Sequence, residues 1–185
     1  MSELKEWRLV SSNLYGSFRI FDLKIEHFIS PRTNKEYEFY IIESNSWVNV
    51  IPLTEDKNVV FIKQFRHGIR DITLEIPGGI VEEGDDPKSA AIRELQEETG
   101  YSSQNIEFLG KVHPNPAFLT NWCYTYLATD VKKIGEQKLE EREDIEVVLI
   151  PLDKVIDLIL HGKITHSLVI SAFAFFFGKK SKIFG

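Results

Sequence analysis

The amino-acid sequence predicts a mixed α/β or α+β layer fold in which strands are interspersed with three helices. The main observation is a series of short runs that are rich in β-branched and aromatic residues and separated by turn residues. These strand candidates are Val48–Leu53, Val59–Phe65, Thr73–Ile76, Ile106–Val112, Tyr124–Thr129 and Ile145–Ile150. The second observation is a set of helix start and stop signals between and after them.

The clearest helix signal lies in the middle of the chain. Asp86 is placed to cap a helix, Pro87 suits its first turn, and Gly100 is placed to end it. The other two helices are predicted at about Asp153–His161 and Ser167–Phe177, the latter carrying the most apolar run of the sequence.

The first 45 residues differ in pattern from the rest. Apolar and charged residues alternate over 21–26, and Tyr37, Phe39 and Ile41 repeat the two-residue period after the turn-rich stretch Ser30–Asn34. This alternation predicts an N-terminal β-hairpin over residues 1–45, which packs beside the main domain or across a dimer. Residues 46–185 then form the main domain.

Composition and charge restrict the function classes. Of 185 residues, 28 are acidic and 22 basic, which gives a net charge of −6 and argues against a general nucleic-acid or anionic-membrane binder. The one cysteine, Cys123, forms no internal disulfide, so the fold needs no oxidising compartment. The apolar run over 164–177 is too short to span a bilayer. A cytoplasmic protein is expected.

The helix that begins after Asp86 carries three carboxylates on one face. Glu94, Glu97 and Glu98 are spaced so that they share that face, and Arg93 precedes them. A solvated acidic face is the alternative, but such faces intersperse lysine at i+4, and these acids have no lysine partner. A hard divalent cation, which prefers carboxylate oxygens, resolves the repulsion between them.

The surrounding pattern resembles the Nudix box. It consists here of Gly79, Asp85 and the run Arg93-Glu94-Leu95-Gln96-Glu97-Glu98-Thr99-Gly100-Tyr101. Asp85 stands where the family usually has glutamate. The resemblance implies a mixed β-sheet sandwiched between helices. It also implies hydrolysis of a nucleoside diphosphate linked to another group, with Mg²⁺ or Mn²⁺ as cofactor.

The resemblance also implies roles for individual residues. Glu94 and Glu98 are expected to bind metal directly, with Glu97 close behind, and the Gly79 carbonyl is a plausible further ligand. Arg93 is expected to orient these acids by ion pairing.

Residues outside the box resemble the ADP-ribose and nucleotide-sugar pyrophosphatases. Gln64-Phe65-Arg66 and the run Leu74-Glu75-Ile76-Pro77 look like their approach strand, in which the arginine contacts substrate and the acid supports a metal or its water. A surface arginine and a structural ion-pair partner are the alternatives. Pro116 lies fifteen residues past the box, similar to the marker of the ADP-ribose subgroup, and Phe118 is a candidate for stacking on a base. An ordinary proline-stiffened loop is the alternative there.

The acidic loop over residues 136–146 is the candidate source of the general base, by resemblance to the same group. Glu141 is the first choice, with Glu143 and Glu140 behind it, and the alternative is a solvated charged loop. The five histidines show no metal-ligand spacing, so each is expected to be structural or exposed.

The residues and the resemblance together predict a homodimeric, Mg²⁺-dependent hydrolase of nucleoside diphosphate sugars, with ADP-ribose the leading substrate. Other Nudix substrates remain open, namely dinucleoside polyphosphates, coenzyme A and RNA 5′ ends, and the acidic charge balance counts against RNA. A catalytically silent nucleotide-sugar sensor is the rival from another class. Such a domain is expected to have lost one of the three glutamates, and all three are present.

Overall fold

The computed structural model of the protein describes residues 4–183, which form two compact units. The first contains the chain up to Asn45 and the segment His113–Asn121, and the second contains Ser46–Val112 and the chain from Trp122 onward. This division differs from a boundary at residue 45, because segment 113–121 bonds to the first unit. The Ile42 N–H donates to the Phe118 carbonyl at 2.8 Å, and the Thr120 N–H donates to the Ile42 carbonyl at 3.2 Å.

The first unit is built on a three-stranded antiparallel sheet. Its strands are β1 (Arg8–Phe18), β2 (Phe21–Ile29) and β3 (Glu36–Glu43), in the order β1-β2-β3. The hairpin predicted from the alternating pattern corresponds to β2 and β3. Strand β1 was missed, because its pairing with β2 is irregular between Leu9 and Ser11 and between Leu14 and Gly16. Irregularities of this kind break the period-2 alternation by which a strand is detected.

The second unit is built on a mixed sheet of seven strands. These are β4 (Trp47–Leu53), β5 (Asn58–Arg66), β6 (Asp71–Glu75), β7 (Gly78–Ile80), β9 (Asn105–Val112), β10 (Cys123–Thr129) and β12 (Ile145–Pro151). Their order is β12-β5-β4-β10-β9, with β6 pairing with β5 and β7 with β4. Strand β10 runs parallel to β4 and antiparallel to β9. The short strands β8 (Tyr101–Ser102) and β11 (Lys132–Lys133) pair separately.

Three helices complete the second unit. They are α1 (Pro87–Thr99), α2 (Val155–Leu160) after a 3₁₀ turn at Leu152–Lys154, and α3 (Ser167–Ile183). Among residues 4–183, no helix has the length and apolarity that a membrane crossing requires.

The sheet lies between α1 and α3, with a separate core on each face. Val50 and Val60 pack on the α1 face with Leu95, whereas Ile51 and Phe61 pack on the α3 face. Neighbouring residues of one strand point to opposite faces, so both faces of β4 and β5 are apolar. The predicted mixed sheet sandwiched between helices is confirmed.

Candidate active site

Helix α1 begins and ends as its sequence predicts. The Asp86 carboxylate accepts the Ser89 N–H at 3.1 Å, which caps the first turn. At the other end Gly100 has φ 73°, a left-handed conformation that favours glycine, and its N–H donates to the Gln96 carbonyl at 2.8 Å. The two ends fix the register of the helix, so that Glu94 and Glu98 are both buried.

Arg93 organises the acidic side chains of α1. Its Nη1 lies 2.9 Å from the Glu94 carboxylate and 3.1 Å from that of Glu97, while Nη2 donates to the Ile80 carbonyl at 3.3 Å. One guanidinium therefore joins two of the three acids to β7. Glu97 is the more exposed of its two partners.

The glycine pair of β7 lies directly against the buried acids. The Gly78 N–H donates to Glu98 Oε2 at 2.8 Å. A Cβ atom at Gly79 would lie 2.5 Å from the Glu94 carboxyl carbon, closer than real Cβ contacts come. Glycine is therefore required at position 79 for Glu94 to keep this place, and the backbone of β7 reaches both carboxylates.

Both buried acids carry strongly shifted pKa values. Burial raises the pKa of Glu94 to about 7 although Arg93 opposes the shift, and burial raises the pKa of Glu98 to about 8 although the Gly78 N–H opposes it. The charges of Glu143 and, for Glu98, of Glu94 add to the increase. Arg93 and the Gly78 N–H therefore do not compensate for the cost of burying Glu94 and Glu98 as ionised carboxylates.

This donor set fits a hard divalent cation. Carboxylate oxygens are its preferred protein ligands, and an added positive charge would stabilise the ionised forms of Glu94 and Glu98. Within residues 4–183, no three acidic, histidine or cysteine side chains converge as a complete metal cage. The acids of α1 would therefore supply only part of a coordination shell, which suits Mg²⁺ because it usually keeps several waters and binds substrate phosphates.

A cleft of about 1180 Å³ opens beside this cluster in the second unit. The glycine pair lines one part of it, and Arg66, Glu75, Glu143 and His166 line other parts. Its volume is slightly above the range of roughly 300–1,000 Å³ that is usual for small-molecule sites.

Arg66 and Glu75 form a paired unit in the cleft. Arg66 Nε donates to Glu75 Oε1 at 2.7 Å and Nη2 donates to Oε2 at 2.6 Å, while the Thr73 hydroxyl donates to Oε1 at 2.6 Å. Burial raises the pKa of the Glu75 carboxyl, but these donors outweigh burial and hold it below its ordinary value. Glu75 is thus an anion that fixes the Arg66 guanidinium, which stays partly exposed to the cleft.

The acidic loop brings one of its three candidate bases to the cleft. Glu143 lines it, with neighbours Arg142 and Asp144, whereas Glu140 and Glu141 are not among the described residues that do. The Glu140 N–H donates to Glu143 Oε2 at 2.8 Å, which holds that carboxylate in place. By sequence, Glu141 ranks first among the candidate general bases, whereas in the structure Glu143 is the candidate that lines the cleft.

Pro116 and Phe118 belong to the first unit. Phe118 is partly exposed, and its carbonyl accepts the β3 hydrogen bond described above. The substrate role of both residues stays a prediction.

The comparison with family models decides the classification. The model of the NUDIX domain matches residues 45–172. The chain belongs to the Nudix family. This match confirms the resemblance of Gly79, Asp85 and the run Arg93–Tyr101 to the Nudix box.

Individual relatives match most of the chain. The ADP-ribose pyrophosphatase of Bacillus subtilis is 28% identical over 160 residues, 86% of this chain and 85% of the relative. The methanol dehydrogenase activator of Bacillus methanolicus is 29% identical over 175 residues, 93% of each. The crystal structure of an ADP compounds hydrolase matches with a TM-score of 0.85 at 20% identity, covering 98% of both chains, which shows a shared fold.

Two cleft residues carry no signal in the sequence. His166 was expected to be structural or exposed because histidine spacing indicates no site, and Asn49 lies within an apolar strand. Asn49 is buried opposite Gly78 in the β4–β7 register, and its amide donates to the Leu168 carbonyl at 3.2 Å. Asn49 lies on β4 and His166 precedes α3, which packs on β4, and both residues line the cleft.

Proposed function

We propose that this Nudix protein hydrolyses the pyrophosphate of nucleoside diphosphate sugars, with ADP-ribose the leading substrate and AMP and ribose 5-phosphate the products. The observation that carries the proposal is the pair of buried, undercompensated carboxylates, Glu94 and Glu98, held against a glycine pair that lines a large cleft. Relatives named ADP-ribose pyrophosphatase favour this substrate over other Nudix substrates.

Glu94 and Glu98 would hold the cation directly, with Glu97 behind them and the Gly79 carbonyl as a further oxygen. Mg²⁺ is proposed because the donors are all oxygen atoms, and Mn²⁺ shares that preference. When bound, the cation neutralises phosphate oxygens and lowers the pKa of the attacking water. Arg93 keeps Glu94 and Glu97 oriented through the ion pairs described above.

Glu143 is the proposed general base, in preference to Glu141 and Glu140. It lines the cleft, and its charge acts on both Glu94 and Glu98. A carboxylate so placed accepts a proton from the attacking water while the phosphorus–oxygen bond to the leaving phosphate breaks.

Arg66 is proposed to bind the diphosphate. Glu75 occupies Nε and Nη2 of its guanidinium, so the remaining N–H groups are available to phosphate oxygens. Phe118 is proposed to stack on the base, with Pro116 stiffening its loop, as the resemblance implies.

A homodimer is proposed through the first unit. Large apolar side chains are exposed on and beside β1, at Leu9, Leu14, Tyr15, Phe18 and Ile20, and clusters of exposed apolar residues are typical of protein–protein interfaces. Light scattering is expected to give twice the chain mass of 21.4 kDa, and a Leu14→Lys/Tyr15→Lys variant is expected to give the single mass. A wild-type protein that is monomeric at tens of micromolar would contradict the dimer.

A cytoplasmic location is proposed because Cys123 is an unpaired, buried thiol.

A turnover panel tests the substrate. ADP-ribose, GDP-mannose, UDP-glucose, coenzyme A, a diadenosine polyphosphate and a 5′-capped RNA are each incubated with Mg²⁺ and with chelator. ADP-ribose is expected to be hydrolysed fastest, and only with the cation. Preference for coenzyme A, a dinucleoside polyphosphate or RNA overturns the assignment of substrate. Binding of ADP-ribose without turnover of any compound supports the sensor instead.

A further inference from the structure

His166 caps helix α3 with its ring. Its carbonyl accepts the N–H groups of Val169 and Ile170, each at 3.1 Å, which places it at the N-cap position. Its Nδ1 accepts the Leu168 N–H at 3.2 Å. A neutral imidazole that accepts at Nδ1 carries its proton on Nε2, so the cap bond determines which nitrogen is the donor.

The Nε2 donor lies in the cleft without a hydrogen-bond acceptor from the described part of the chain. His166 lines the cleft, and Nε2 is 3.9 Å from Glu75 Oε2, beyond hydrogen-bonding range. Burial lowers the pKa of His166 although Glu75 opposes the shift, so the neutral ring is favoured. The His166 side chain is 29% exposed and lines the cleft, so the ring is accessible to a ligand there.

We propose that His166 is a substrate-binding residue, whose Nε2–H donates a hydrogen bond to an oxygen of the nucleotide sugar beside Arg66. This inference rests on the proposed function. It names a residue that the Nudix box and its approach strand do not contain.

The position next to Arg66 follows from a shared atom. Glu75 Oε2 accepts from Arg66 Nη2 at 2.6 Å and is also the oxygen that lies nearest His166 Nε2. Two donors of different kinds, a fixed cation and a neutral N–H, therefore flank one carboxylate oxygen. A phosphate or sugar oxygen that contacts the guanidinium is within reach of the imidazole.

Two substitutions separate the cap from the donor. His166→Asn retains an acceptor for the Leu168 N–H, since asparagine is a favoured N-cap, but its side chain is too short to present an N–H at the Nε2 position. His166→Gln extends an amide N–H to about the Nε2 position and loses the cap geometry. His161→Asn is the matched control, because His161 is exposed at the end of α2.

The two variants are expected to change different properties: His166→Asn changes the KM for ADP-ribose, and His166→Gln changes the melting temperature. His166→Asn is expected to raise KM about tenfold, the effect of one hydrogen bond, with an unchanged melting temperature. His166→Gln is expected to keep KM within about threefold of wild type while melting a few degrees lower, and His161→Asn to match wild type in KM. A KM unchanged in His166→Asn, or raised only where the melting temperature falls, overturns the inference.

Product binding identifies the oxygen and keeps the two proposals apart. AMP and ribose 5-phosphate are titrated separately into wild type and His166→Asn by calorimetry. Weaker binding of AMP places His166 against the nucleotide half, and weaker binding of ribose 5-phosphate places it against the sugar-phosphate half. Unchanged binding of both overturns the inference. A wild-type protein that does not hydrolyse ADP-ribose instead refutes the proposed function.

Discussion

Glu98→Gln is expected to remove a pH-dependent loss of stability from the metal-free protein. Glu98 is buried, with a side chain whose Oε2 accepts the Gly78 N–H, and burial raises its pKa from 4.5 to about 8. Glutamine retains an acceptor oxygen for the Gly78 N–H but carries no charge. The variant therefore changes the ionisation of the site more than its shape.

The sign and size follow from proton linkage. Below pH 4.5 both states of the protein carry the proton, and between pH 4.5 and 8 the unfolded chain releases it while the folded chain retains it. The free energy of unfolding therefore falls as pH rises, at about 1.4 kcal/mol per unit and by about 4 kcal/mol over the window. Glu98→Gln loses this contribution but keeps the smaller decrease due to Glu94, which ends near pH 7.

Urea unfolding in excess chelator measures this difference. Wild type and variant are compared from pH 5 to pH 8, and the wild-type-minus-variant difference is used because other carboxylates, such as Glu75, shift in the opposite direction. Mg²⁺ at saturating concentration is expected to restore wild-type stability at pH 8, since a ligand that binds the folded state stabilises it. A difference that is constant with pH would refute the burial argument for Glu98.

Three further substitutions test the cleft in kinetic and unfolding assays. Gly79→Ala is expected to lower kcat at least tenfold and to raise the Mg²⁺ concentration required, because its Cβ displaces the Glu94 carboxylate, a proposed metal ligand. Gly135→Ala, where a Cβ meets open space, is the control, and equal activity in the two variants would contradict this argument. Glu143→Gln is expected to lower kcat about 100-fold or more with little change in KM, and Glu141→Gln to remain near wild type; the reverse order would assign the base to Glu141. Arg66→Lys is expected to raise KM about tenfold and to destabilise the fold by about 1–3 kcal/mol in urea unfolding. The reason is that lysine cannot reproduce the bidentate pair with the buried Glu75 carboxylate. A variant with wild-type KM would contradict the assignment of Arg66 to substrate binding.

The parts that could be predicted from the sequence depend on local chemistry. The ends of α1 were predicted because Asp86 and Gly100 act within one turn of the chain. The shared face of Glu94 and Glu98 follows from helical periodicity alone. The six longer strands of the second unit carry enough β-branched and aromatic residues to be detected without knowledge of their partners, whereas the short strands β7, β8 and β11 were not predicted.

The remainder depends on contacts between segments distant in sequence. His166 lies in the cleft because α3 packs on β4. The hydrogen bond between Asn49 and Leu168, which joins the two elements, spans 119 residues of sequence. No residue spacing in the sequence indicates such a long-range contact. The order of Glu141 and Glu143 depends on the path of a loop, which periodicity does not determine. Strand β1 lacks a regular alternation because its register shifts twice.

Hydrolysis of ADP-ribose by wild type and Glu98→Gln, followed by phosphorus NMR, tests the central claim most directly. With Mg²⁺, wild type is expected to convert ADP-ribose and water to AMP and ribose 5-phosphate, and chelator is expected to abolish the reaction. Glu98→Gln is expected to hydrolyse ADP-ribose at least 100-fold more slowly than wild type at equal fold stability. Glu83→Gln, at an exposed position, is the control and is expected to match wild type. Turnover that persists in chelator, or a Glu98→Gln variant as fast as wild type, would contradict a reaction that depends on a cation held by the buried acids of α1.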